Sequence, residues 1–102
     1  MGRLLVGVLA SGRGSNLQAI IDSSAAGKID VDVAVVVSDV EDAQALERAR
    51  SAGIPAVHIA PGRFRTKLTP EAEQRYVETL DEHGVEVVVL AGFMRILHDD
   101  FL

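Results

Sequence analysis

The 102-residue chain has no cysteine and no tryptophan, only three prolines, and just four aromatic side chains, three phenylalanines and one tyrosine. Without cysteine, a disulfide framework and a thiolate metal site are both excluded. With so few aromatics, aliphatic side chains must fill the interior, and the 48% hydrophobic content supplies them. Long apolar runs are missing too. The opening residues MGRLLVGVLA carry one cation and too short a run for a signal peptide or a membrane span. They read as a strand entering a loop, and a cytoplasmic protein with no membrane partner is the expectation. No basic block stands out, and the net charge is −5, which argues against nucleic acid as a partner.

What is present is a regular alternation. Residues 4–10 form an apolar first strand, followed by the loop Ser11-Gly12-Arg13-Gly14. Ser15 or Asn16 is expected to cap a helix carrying Leu17, Ile20 and Ile21 and stopping near Gly27. Residues 31–37 are a second, β-branched strand, after which Ser38 or Asp39 is expected to cap a helix ending at Gly53. Residues 56–59 make a short third strand. A loop with Arg63, Arg65 and Lys67 then leads to Thr69-Pro70-Glu71, a cap followed by proline at the first helical position. That third helix runs to Gly84, and VEVVVLA over residues 85–91 reads as a strand apolar on both faces. No repeat, low-complexity segment or linker divides the chain, so residues 1–102 are read as a single domain.

Strands alternating with helices predict right-handed crossovers and an α/β, Rossmann-like, doubly wound parallel sheet in the order 3-2-1-4. Ligands of such sheets bind where the order reverses, at the carboxyl ends of strands 1 and 4. The two loops placed there are also the most unusual in the chain. Ser11-Gly12-Arg13-Gly14-Ser15-Asn16 has the make-up of an anion cradle, with glycines permitting close backbone approach and a helix amino terminus behind them. An ordinary tight turn with a Ser/Asn cap accounts for the same residues. Gly92-Phe93-Met94-Arg95-Ile96-Leu97 sets one cation among large apolar side chains. Such a loop suits a flat, partly anionic ligand, or else plain packing beside a solvated charge.

Two named phosphate motifs fail in part. Counting from Gly7, arginine stands where a P-loop has lysine, and residues 7–10 belong to the strand. A dinucleotide fingerprint would need glycine where Leu17 stands, although Asp39 ends the second strand where an acid could hold ribose hydroxyls. A dinucleotide-binding fragment therefore stays as one alternative, and a non-catalytic phosphosugar- or folate-binding module as another.

Three segments together carry a resemblance: Ser11-Gly12-Arg13-Gly14-Ser15-Asn16-Leu17-Gln18-Ala19-Ile20, Leu46-Glu47-Arg48-Ala49, and Val89-Leu90-Ala91-Gly92-Phe93-Met94-Arg95-Ile96-Leu97. In order and spacing, the chain resembles the amino-terminal part of the phosphoribosylglycinamide formyltransferases. These enzymes move a formyl group from 10-formyltetrahydrofolate to the amine of 5′-phosphoribosylglycinamide, a step of purine synthesis. The resemblance implies that Gly14, Ser15 and Asn16 hold the phosphoribosyl substrate. It implies that Met94, Arg95, Ile96 and Leu97 hold the folate co-substrate, with Lys67 as a further basic folate contact. No metal is implied.

The resemblance also names what is missing. The family's catalytic asparagine and histidine lie in an Asn-x-His-Pro segment, with an aspartate beyond, and none of His58, His83 and His98 stands in such a segment. No catalytic residue is carried over. A chain truncated after its fourth strand is expected to be inactive by itself. It is also expected to self-associate or aggregate through that strand, since VEVVVLA makes a poor sheet edge.

Overall fold

The computed structural model describes residues 4–60 and 70–91. Four parallel strands, β1 (Leu4–Leu9), β2 (Val31–Ser38), β3 (Ala56–His58) and β4 (Val87–Leu90), form one sheet in the order β3-β2-β1-β4. Helices α1 (Ser15–Ala25), α2 (Gln44–Ser51) and α3 (Pro70–Glu82) make the connections. The predicted strand order and fold class are both observed.

The helices divide between the two faces of the sheet. Leu17 of α1 and Ala45, Leu46 and Ala49 of α2 pack with Val6, Val8 and Val36 on one face. Ala72, Tyr76 and Leu80 of α3 pack with Leu9, Val35 and Val37 on the other. Covering both faces is what allows the inner strands to be apolar at successive positions.

One irregularity keeps β2 apolar on both sides. Val6 pairs with Val33 but Gly7 pairs with Val35, so Ala34 is an extra residue in β2. Val31 and Val33 face the α1/α2 side before the bulge; after it Val36 takes that side, while Val35 and Val37 turn to α3. Side chains alternate with a period of two, so a single inserted residue reverses their phase.

At Gly7 the sheet and α3 come very close. A methyl group there would sit 2.6 Å from Leu80 Cδ2 and 3.0 Å from Val85 Cγ2. This glycine, which could be counted as the start of a phosphate motif, is explained by packing. Tyr76 is fully buried, and its hydroxyl donates to the Ile59 carbonyl at 3.3 Å, tying α3 to the segment leaving β3.

Two expected caps do not form. α1 begins after Gly14, and neither Ser15 nor Asn16 serves as its cap, because both already lie within the helix. α2 begins after Ala43, not at Ser38 or Asp39. Ser38 Oγ instead accepts from the Val40 N–H at 3.0 Å, shaping the turn that leaves β2. The first turn of α2 finds its acceptor elsewhere: the Ala45 N–H donates to the Gly12 carbonyl at 3.2 Å. A carbonyl remote in sequence thus does the work of a local side-chain cap. Gly27 and Gly53 follow their helices with φ of 74° each, as expected of helix terminators.

The fourth strand keeps its ladder to β1 beyond its formal ends, with Glu86 N–H on the Leu5 carbonyl at 2.8 Å and Ala91 N–H on the Leu9 carbonyl at 2.9 Å. It is not covered on both faces as the apolar run suggested. Val87, Val88 and Leu90 are 42%, 37% and 53% exposed, and among the described residues only β1 stands beside β4.

Candidate functional site

The chain leaves β1 at the point where the strand order reverses. The Ala10 N–H donates to the Val37 carbonyl at 3.1 Å on one side, and Ala91 donates to Leu9 on the other. Ala10 and Ala91 lie in the same buried cluster. The two loops predicted to meet therefore depart from adjoining points, as topology requires at a switch point. Met94, Arg95, Ile96 and Leu97, and with them Phe93 and His98, lie outside the described residues, as do Lys67 and its loop.

The first loop is held by α2. Gly14 adopts φ 77° and ψ 25°, a left-handed conformation, and directly precedes α1. A methyl group at Gly14 would lie 2.7 Å from Ala45 Cα, 2.9 Å from Ala45 Cβ and 3.2 Å from Arg48 Cδ. Two separate constraints, one conformational and one steric, thus demand glycine. The Gly12 carbonyl accepts from Ala45, and the Arg13 carbonyl accepts from Arg48 Nε at 2.7 Å. Arg48 also donates from its terminal nitrogen to Gln18 Oε1 at 3.3 Å, and Gln18 Nε2 donates in turn to Asp22 Oδ1 at 2.9 Å.

No side chain caps α1 at Gly14. Its first carbonyl, that of Gly14, takes the Gln18 N–H at 2.8 Å, while Ser15 and Asn16 are exposed. An uncapped first turn presents N–H groups and the positive end of the helix dipole to an external acceptor. Gly14, Ser15 and Asn16 are therefore brought together at the switch point.

Leu17 is fully buried in the α1/α2 core, so the position a dinucleotide fingerprint reserves for glycine serves packing here. Asp39 is 6% exposed at the end of β2. His58 ends β3, and His83 lies just past α3 with Nδ1 2.8 Å from the Thr79 carbonyl. Among the described residues, no group of three or more His, Asp or Glu side chains is placed to hold a metal ion. None of the described helices is long and apolar enough to cross a membrane. Arg48 is the contributor that sequence reasoning left without a role. Its signal was present, an arginine next to the buried Ala49 in a helix that must approach a glycine loop, but its partner is 35 residues away.

The sequence and the fold are shared with known proteins. The family described as formyl transferase matches residues 4–102. The chain belongs to that family. The phosphoribosylglycinamide formyltransferase of Escherichia coli K12 is 45% identical over 95 residues, covering 93% of this chain and 44% of the relative. A crystal structure of glycinamide ribonucleotide transformylase 1 from Symbiobacterium toebii superposes with a TM-score of 0.88 at 44% identity, covering 98% of this chain and 46% of that one. A formyltetrahydrofolate deformylase from Pseudomonas putida superposes with a TM-score of 0.82 at 29% identity, covering 96% and 34% respectively. The chain thus spans less than half the length of these formyl transferase relatives.

Proposed function

We propose that residues 1–102 are the amino-terminal portion of a phosphoribosylglycinamide formyltransferase domain. In this reading Gly14, Ser15 and Asn16 take the phosphate of 5′-phosphoribosylglycinamide. Met94, Arg95, Ile96 and Leu97 flank the ring of 10-formyltetrahydrofolate, and Lys67 adds a basic folate contact. The observation that carries the reading is the uncapped amino terminus of α1, entered through a left-handed Gly14 at the switch point of the sheet. The names of the similar proteins supply the substrate class, and the loop supplies a physical reason for a phosphate.

In the reaction so assigned, the glycinamide amine attacks the formyl carbon, a new C–N bond forms, and the bond to the folate nitrogen breaks. The amine's proton passes to solvent or to the departing nitrogen. The contribution of this chain is to bind and orient the two reactants, holding one on each side of the β1/β4 boundary. Proton transfer and oxyanion stabilisation need further groups. The 102 residues include no Asn-x-His-Pro segment, so by themselves they bind without transferring. Measurable turnover by the chain alone overturns that part of the proposal.

A calorimetric titration with phosphoribosylglycinamide and its dephosphorylated analogue tests the phosphate assignment. The expected result is binding of the first at least tenfold tighter than the second. Equal affinity, or binding of NAD with no response to phosphoribosylglycinamide, sinks it. Release of formate from the folate without any dependence on the amine would place the chain with the deformylases instead.

The exposed β4 edge supports a second proposal, that the free chain pairs with another copy of itself through Val87, Val88 and Leu90. Sedimentation of the free chain should show dimers or larger species, and a monodisperse monomer at high concentration counts against it.

A further inference from the structure

We propose that Arg48 is a positioning residue for the phosphate loop: it fixes the direction of the Gly14 N–H without touching the ligand. This inference rests on the phosphate reading of that loop.

No peptide bond among the described residues is cis, so the C=O and N–H of each unit point in opposite directions. The unit joining Arg13 to Gly14 has its carbonyl on Arg48 Nε at 2.7 Å. The Gly14 N–H is therefore directed away from α2. The preceding unit is set the same way, because the Gly12 carbonyl is on the Ala45 N–H at 3.2 Å and turns the Arg13 N–H outward. Two successive donors are thereby aimed from one side of the loop, next to the uncapped first turn of α1. Successive N–H groups in such a turn make a concave anion seat.

A glycine-rich loop does not hold that arrangement unaided, since Gly12 and Gly14 add backbone freedom on both sides of Arg13. Arg48 supplies the restraint in three ways. Its Cδ lies against the Gly14 backbone, 3.2 Å from where a methyl group would stand. Its Nε holds the loop carbonyl, and its terminal nitrogen holds Gln18 one turn into α1. One side chain of α2 thus ties the loop to the helix whose amino terminus meets the anion. These two guanidinium bonds run to carbonyl acceptors of the loop and of α1.

Two substitutions separate positioning from charge. Arg48→Met keeps the stem and removes every donor. Arg48→Gln places a neutral N–H donor where Nε stands, so it keeps the bond to the Arg13 carbonyl and loses the charge. Both variants are titrated with phosphoribosylglycinamide and with the dephosphorylated analogue, with the fold checked by thermal melting. Loss of the charged donor's bond to the Arg13 carbonyl predicts about tenfold weaker binding of the phosphorylated ligand by Arg48→Met. The dephosphorylated ligand should bind as to the parent, and Arg48→Gln should recover most of the loss. In ¹⁵N-correlated NMR spectra, phosphoribosylglycinamide should shift the Gly14 amide of the parent and of Arg48→Gln more than that of Arg48→Met.

Equal weakening by both variants would assign the effect to charge and overturn the proposal. So would parallel loss of both ligands, which marks a merely structural role, or full retention of phosphate preference by Arg48→Met. A parent protein that shows no preference for the phosphorylated ligand overturns the phosphate reading itself, and this inference with it.

Discussion

Leu9 and Leu90 are the same residue, stand directly opposite each other in register, and belong to neighbouring parallel strands. Leu9 is fully buried, whereas Leu90 is 53% exposed. The contrast extends along the pair of strands: Gly7 faces Val88, and Val8 faces Val89. Among the described residues, β1 has a strand on each side and helices over both faces, while β4 has a strand on one side only. Identical local chemistry therefore supports very different burial, and position in the sheet decides which strand is core. An apolar run reports that a strand wants cover on both faces. It does not report whether the chain supplies that cover.

The sharpest way to break this contrast is to place a charge in β1. Val8→Asp would leave an unpaired carboxylate at a fully buried site, and loss of more than about 4 kcal/mol is expected. Circular dichroism should then show no cooperative unfolding; a retained transition would mean that β1 is less central than described. Next comes the matched pair. Leu9→Ala should cost about 3 kcal/mol in urea denaturation and Leu90→Ala less than about 1 kcal/mol. Equal costs would show that β4 is covered in solution.

Gly7→Ala is expected to cost about 2 kcal/mol by overpacking against Leu80 and Val85. A companion Leu80→Ala change should reduce that penalty, and additive losses would contradict the close approach of α3. The smallest effect on stability is expected from Val88→Lys, within about 0.5 kcal/mol at this exposed edge. Its main consequence should be on association: sedimentation should shift toward monomer, as charged residues on an edge strand oppose strand pairing. Undiminished self-association would point to a different contact surface.

The site shows the same division between local and distant causes. Gly12 and Gly14 announced a loop that approaches something closely, and the structure identifies part of that something as Ala45 and Arg48 of α2. The capping expectations for Ser15, Asn16, Ser38 and Asp39 all followed local preference, and none of the four residues precedes its helix as the cap. Ala45 finds its acceptor in the Gly12 carbonyl, 33 positions earlier in the chain, and Gly14 takes the place before α1 by virtue of its left-handed backbone. Side-chain capping preferences weigh only neighbouring residues, so a cap supplied by a remote carbonyl leaves no mark in the local pattern. The bulge at Ala34 was hidden for a different reason, since residues 33–37 are all apolar and offer no polar residue to mark a reversal of phase.

The sequence by itself determined the alternation of strands and helices, the parallel sheet, its order, and the family, through apolar periodicity, glycine stops and three spaced segments. Those features depend on local backbone preference and on the limited ways in which βαβ units can be wound. Only the tertiary structure decided that β2 bulges at Ala34, that Gly7 serves packing, and that Arg48 holds the loop. Each of these depends on which remote atoms occupy the neighbouring space, and that becomes definite only once the helices lie against the sheet.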